Sequence, residues 1–374
     1  MVLLKKFDPK QKMLFAAFAA LALGTAGCAT DTSEAPAPSE DAGAAGETTS
    51  DSGGQEFDMT LNGAGASFPA PLYQSWFSKI QQDVYPGLKI NYQSVGSGAG
   101  VEQYLAGTVD FGASDAPLTD EEKSQFSSQY GADPIQVPMT GGLVVFAYNL
   151  SGVDNLQLSR EDYCGIVSGD ITSWDDPAIV EANPDAELPS EPINFVHRSD
   201  GSGTTFLFTN HIQAACPNWT AGAAKTVDWP VGVGAKGNEG IAAQIQQTNG
   251  SIGYVEYTYA NENNISMASL ENQAGNYIEP SPEAGAAVLE GQEIPDDFAL
   301  TVPDPEGDQA YPIVGLTWML LYPEYDDPQK AEAINAMVEW ALQEGDEQAT
   351  ELGYIPLTEG VQESVVSTVK EQVK

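Results

Sequence analysis

Three times this chain passes from a short apolar run, through a turn of glycines and hydroxyl residues, into a stretch with helical spacing. The turns are GAGASFPAP from Gly63, GSGAG from Gly96 and DGSGTT from Asp200. The rest of the sequence keeps the same rhythm. Leu72, Tyr73, Trp76, Phe77 and Ile80 mark one face of a helix. Leu88 to Tyr92 reads as a strand, Val101 to Ala106 as a short helix, and Val109 to Ala113 as a strand ending at Ser114 and Asp115. Gly142 to Leu150 is a strand of the buried type, and Asn149 to Gly152 is a natural crossing point between domains. Glu239 to Gln247 reads as a helix stopped at Asn249-Gly250, followed by a strand from Ser251 to Val255. Ile313 to Tyr322 is strand-like; Ala331, Ile334, Met337, Val338 and Ala341 then mark a helix, and Val361 to Val373 another. Alternation of this kind dictates α/β layers with largely parallel sheets. Ligands in such sheets bind beyond the carboxyl ends of strands, where loops lead into helices.

The three turns lie at such places. Each sets small residues and a hydroxyl at a helix start, where backbone N–H groups lack partners and the helix dipole favours an anion. Ser67 stands where an N-cap would, with Pro69 and Pro71 suited to a first turn. One Gly-Ser turn is weak evidence, because such turns often only cap helices; three favour convergence on a tetrahedral oxyanion. The stretch HRSDGSGTTFLFTN lacks the lysine that a nucleotide-hydrolysing P-loop places after its glycines. It does have Arg198, one of only two arginines, whose planar fork of donors matches an oxyanion. Asp200 is close enough in sequence to hold that guanidinium. Arg160, beside Glu161 and Asp162, reads as a surface ion pair, and His197 and His211 as structural residues.

The N-terminus reads as a targeting segment, residues 1–27. Lys5, Lys6, Lys10 and Lys12 precede an apolar stretch from Met13 to Leu23, too short to span a bilayer comfortably. Thr25-Ala26-Gly27-Cys28 is similar to a bacterial lipobox with Thr25 where leucine is usual. Lipidation of Cys28 and ordinary cleavage nearby both remain open, and both export the chain. Residues 28–57 contain almost no large apolar side chain and read as a disordered acidic tether. With Cys28 set aside, Cys164 and Cys216 remain, and in an exported protein a disulfide between them is expected. Two cysteines and two histidines without ligand spacing give no metal site, and no cofactor is expected. The net charge of −40, with 14 Lys and Arg, argues against nucleic acid as a partner.

GAGASFPAPLYQSW, VGSGAGVEQYLAGTVDFGASDAPLT, RSDGSGTTFLFT, WPVGVGAKGNEGIAAQIQ and GSIGYVEYTYA occur in this order from about Leu61 onward. Together they resemble the PstS family, the phosphate-binding proteins of phosphate-specific ABC transporters. The resemblance implies a two-lobe periplasmic-binding-protein clamp with a two-strand hinge. Residues 58–148 and 316–374 would form one lobe and residues 149–315 the other. It further implies that Ser67, Phe68, Ser97 and Asp115 of the first lobe, with Arg198, Ser202, Gly203 and Thr204 of the second, bind inorganic phosphate. No catalytic residue is implied. The expected partners are the ligand and membrane permease subunits. The expected state is a monomer in the periplasm or at the cell surface, anchored by lipid alone.

Asp115 then acquires a purpose. A carboxylate only accepts hydrogen bonds, so it calls for a ligand with a proton to give, and phosphate near neutral pH has one where sulfate has none. Two alternatives compete with the receptor: a secreted phosphatase, and a receptor for another oxyanion such as sulfate. The sequence has no G-x-S-x-G elbow and no plausible Ser-His-Asp set to favour the phosphatase.

Overall fold

The computed structural model describes residues 56–374. The targeting segment, Cys28 and nearly all of the tether lie outside the described residues. The chain begins with β1 (Met59–Gly65), α1 (Ala70–Lys79), β2 (Leu88–Ser94), α2 (Ser97–Leu105), β3 (Phe111–Ser114), α3 (Asp120–Tyr130) and β4 (Ile135–Asn149). It continues through β5 (Gln157–Leu158), α4 (Arg160–Ser168), α5 (Pro177–Ala182), β6 (Asn194–Arg198), α6 (Gly203–Ala215), β7 (Val233–Ala235), α7 (Gly237–Gln247) and β8 (Ser251–Glu256). Next come α8 (Tyr257–Glu262), β9 (Ser266–Met267), β10 (Ser269–Glu271), β11 (Tyr277–Ile278) and α9 (Pro282–Leu289). The chain closes with β12 (Val314–Leu321), α10 (Pro328–Gln343), α11 (Asp346–Leu352) and α12 (Glu359–Gln372).

The main sheet runs β2-β1-β3-β12-β4-β8-β6-β7, with β9 beside β4. It is mixed rather than largely parallel. The outer pairs β1–β2, β1–β3, β6–β7 and β6–β8 are parallel, whereas β12 runs antiparallel to β3 and β4, and β4 antiparallel to β8. The antiparallel strands occupy the middle of the sheet, between its parallel β1–β3 and β6–β8 flanks. β4 pairs with β12 through Leu143 and with β8 from Val144. Opposite this change of partner the chain returns at Ile313, whose carbonyl accepts from the Val144 N–H at 3.0 Å. The chain thus passes from one half of the sheet to the other between Leu143 and Val144.

β12 is buried along its whole length and β4 along nearly all of it, as central strands covered on both faces must be. β4 also starts earlier than Gly142, because Pro138, Thr140 and Gly141 break the apolar run without ending the strand. The register between β4 and β12 shifts at Thr317/Trp318, so Met139 is left over as the extra residue of a bulge. Pro138, which has no N–H to give a ladder, is tolerated beside it. The bulge lies next to Thr317.

Helix ends follow local chemistry. Thr119 with Glu122 and Ser159 with Asp162 form reciprocal capping boxes on α3 and α4, and Gly131 and Gly169 close those helices in the left-handed conformation. Ser67, by contrast, does not cap α1: the N-cap is Pro69, and the Ser67 hydroxyl is engaged elsewhere. α2 begins at Ser97, so of the GSGAG glycines only Gly96 precedes the helix, while Gly98 and Gly100 lie inside its first turn. Cys164 and Cys216 are joined by a disulfide, with their Cα atoms 5.5 Å apart. Arg160 is no free surface residue; its guanidinium makes a two-pronged pair with Asp304 at 3.0 and 2.9 Å, and not with Glu161 or Asp162.

Candidate functional site

Four helices, α1, α2, α6 and α7, start at the carboxyl ends of sheet strands and meet in a seam between the β1–β3 and β6–β8 halves of the sheet. Three correspond to the glycine turns; the fourth, α7, opens at Gly237 in AKGNEG, where the sequence reading starts the helix two residues late. The seam is held by short contacts between residues far apart in the chain. Gly98 N–H donates to the Gly201 carbonyl at 2.8 Å, and Gly203 N–H to Ser97 Oγ at 3.0 Å. Tyr259 Oη donates across the seam to the Ser67 carbonyl at 2.7 Å, and on the Ser67 side Tyr354 Oη holds the Phe68 carbonyl at 2.7 Å. Lys225 pairs with Glu122 of α3. Two glycines permit the approach. Gly96 takes φ 93°, and a Cβ there would stand 2.3 Å from Asp200 Oδ2; a Cβ on Gly203 would stand 2.6 Å from Asp115.

The eight residues expected to bind the ligand are brought together and are buried. Ser67, Ser97, Asp115, Arg198, Ser202 and Thr204 are each 0–3% exposed, and Phe68 is wholly buried. Ser202 caps α6, its hydroxyl accepting from Thr205 N–H at 3.0 Å. Arg198 Nε and Nη2 donate to the Asp200 carboxylate at 2.8 and 2.6 Å, and Nη1 reaches Thr204 Oγ1 at 3.4 Å. A guanidinium has five N–H donors. Three are used here, which leaves one on Nη1 and one on Nη2. Asp200 also accepts from Gly237 N–H at 3.1 Å, so it fixes the arginine and the start of α7 together. Burial works to raise the Asp200 pKa, but the hydrogen bonds and charge of Arg198 outweigh it and hold the carboxyl below its ordinary value.

Asp115 is the odd member. Its Oδ1 accepts from Thr317 Oγ1 at 2.8 Å, while its Oδ2 is buried with no partner. Burial pushes its pKa up to about 7, against the opposing pull of the Thr317 hydroxyl, the Arg198 charge and Ser97. An orphaned acceptor inside a ring of donors is costly unless a ligand supplies the missing hydrogen.

The sequence reading missed Thr317, a lone hydroxyl in the apolar strand VGLTWMLL that the bulge aims at Asp115. It also missed Asn238, wholly buried between Ser67 and Thr204. Glu256 is a third. It is buried behind the site, and burial pushes it up to about 8 despite hydrogen bonds from Thr258 and Tyr354. The histidines stand apart: His197 stacks on Trp229, and His211 lies between the Pro303 carbonyl and Tyr163 Oη. Among the described residues no group of three or more His, Cys, Asp or Glu is placed to hold a metal ion.

Raised carboxyl pKa values carry a stability consequence with a definite sign. With folded values of about 7 for Asp115 and about 8 for Glu256, the native chain keeps protons that the unfolded chain releases near pH 4. Stability therefore falls as pH rises through that window. The melting temperature of the ligand-free protein should decline from about pH 5 to about pH 8, and Asp115→Asn with Glu256→Gln should flatten the decline. An equally steep decline in the double variant would assign it to other groups.

Residues 37–344 match the family model for the PBP superfamily domain. The chain is 41% identical over 322 residues to the phosphate-binding protein PstS of Pasteurella multocida, covering 84% of this chain and 91% of that protein. It is 40% identical over 321 residues to PstS of Haemophilus influenzae, covering 84% and 92%. Among solved structures, a high-affinity periplasmic phosphate-binding protein (PfluDING) with phosphate bound superposes with a TM-score of 0.72 at 24% identity, covering 83% of this chain and 94% of that one.

Proposed function

The chain belongs to the PstS family of phosphate-binding proteins within the PBP superfamily, and from that premise we propose that it binds inorganic phosphate and delivers it to an ABC-type importer. The observation that carries the reading is the pairing of one buried, unpartnered carboxylate oxygen on Asp115 with the two unspent N–H groups of Arg198. Such a pocket suits a tetrahedral anion that accepts at most of its oxygens and donates from one. Ser67, Phe68 and Ser97 would grip it from one lobe, and Ser202, Gly203 and Thr204 from the other.

The lobes, 58–148 with 316–374 and 149–315, would swing about the strand pair where β4 changes partner and the chain returns. Closure would bring both donor sets onto one anion and shift the population toward the closed form. The cleavage-site pattern at Thr25 to Cys28 supports export with lipid anchoring at Cys28, and the low-complexity tether would let a monomeric clamp reach its permease. Among the described residues no helix is long and apolar enough to cross a membrane.

The phosphatase alternative needs a base beside a free nucleophile: neither histidine contacts Ser67, Ser97 or Ser202, and the Ser97 oxygen beside Asp115 already accepts from the Asp115 and Gly203 N–H groups. Incubating the purified chain with a phosphate monoester tests the choice. Retention of one phosphate per chain without turnover is expected; steady release of phosphate from the ester would overturn the receptor reading.

A further inference from the structure

Asn238 occupies the second position of α7 and has no exposed surface. Its Oδ1 accepts from the backbone N–H of Glu256 at 3.1 Å. That donor cannot accept, so it fixes which way round the amide lies. The amide nitrogen therefore faces the site, donating to Ser67 Oγ at 3.0 Å and to Thr204 Oγ1 at 3.1 Å. The backbone N–H of Asn238 makes a second bond to Ser67 Oγ at 3.1 Å. Arg198 Nη1 makes the second to Thr204 Oγ1.

A hydroxyl has one hydrogen to donate and two lone pairs with which to accept. Both lone pairs of Ser67 and both of Thr204 are taken by N–H donors, so each hydroxyl can only donate. Among the described residues neither donates to a protein acceptor. A buried O–H group left without an acceptor is expensive. Two of them, one on each lobe, call for a ligand that accepts at both.

We propose that Asn238 is a positioning residue that locks the Ser67 and Thr204 hydroxyls as donors toward the bound anion, so that one amide sets the polarity of both sides of the clamp. The inference rests on the phosphate-binding reading and deepens it. Without the amide, either hydroxyl could turn, accept from the ligand or from water, and no longer favour an anion. Because the two hydroxyls sit on opposite lobes, the lock is complete only when the clamp is shut. Asn238 therefore links closure to anion selection.

The test is a set of phosphate titrations on the full exported chain, with thermal melting as a check of folding. Asn238→Ala should weaken phosphate binding about 10-fold, the scale of one or two lost hydrogen bonds. In a Ser67→Ala, Thr204→Val background, where nothing remains to be oriented, the same change should cost less than about 3-fold. An equal loss in both backgrounds would show a merely structural role and overturn the proposal. Asn238→Asp serves if the alanine variant does not fold. It keeps the Glu256 contact and the shape but turns the donor into an acceptor that draws both hydroxyl hydrogens away. A loss of about 100-fold or more is expected, the reversed polarity adding to a new buried charge. An Asn238→Asp chain that binds as tightly as the wild type sinks the inference and leaves the phosphate reading standing. A wild-type chain that takes up no phosphate sinks both.

Discussion

Arg198→Ala is expected to weaken phosphate binding by roughly 2–5 kcal/mol, about 30- to 5,000-fold, while the chain still folds. The size follows from burial and bookkeeping of donors. Arg198 is 3% exposed and clamped by Asp200 through two bonds, so its orientation is set before any ligand arrives. A pre-oriented guanidinium meets an anion with little further loss of side-chain freedom, and its charge acts where water is largely excluded. Lysine at this position should rescue poorly, because a point charge cannot hold Asp200 and offer a two-pronged contact together. Titration calorimetry on both variants checks the claim. Affinity for Arg198→Ala within about threefold of wild type would take the residue out of the site.

Asp115→Asn should cost less phosphate affinity but more selectivity. Against sulfate the wild-type carboxylate presents a buried acceptor with nothing to accept. Asparagine can instead donate through its amide. The preference for phosphate over sulfate should therefore shrink by roughly 10- to 100-fold. The same logic gives a pH effect in the wild type. Asp115 carries its own proton below about 7 and can then donate, so selectivity should narrow as pH falls through that value. Selectivity unchanged by both the substitution and the pH would mean that Asp115 does not face the ligand.

What the sequence discloses of this site depends on how its residues are distributed. The three turns are legible because each carries its donors on consecutive residues, and because a glycine-hydroxyl turn before a helix has few other uses in such numbers. Asp200 is legible from its place two residues after Arg198. Asn238 and Thr317 are not, since their roles exist only across the fold: Asn238 meets Ser67 across 171 residues, and Thr317 meets Asp115 across 202. AKGNEG has the glycines of the other turns without their hydroxyl, so it passes as an ordinary helix start. The same limit applies to topology. Apolar runs separated by helices imply parallel strands, but nothing local to Ile313–Tyr322 says that β12 returns antiparallel between β3 and β4.

Charge composition misleads in a different way. A net charge of −40 argues for repulsion of any anion, yet surface charges beyond about 10 Å are largely screened. The local field at the seam is set by Arg198 with its partner Asp200, by Asp115 and by the starts of four helices.

The central claim is that this seam is a phosphate clamp whose one buried acceptor excludes sulfate. Titration calorimetry of the wild-type chain at about pH 8, first with phosphate and then with sulfate, tests it most directly. One tight site for phosphate and no measurable heat from sulfate at the same concentration is the predicted result. Sulfate binding as tight as phosphate, or displacing it, would contradict the account.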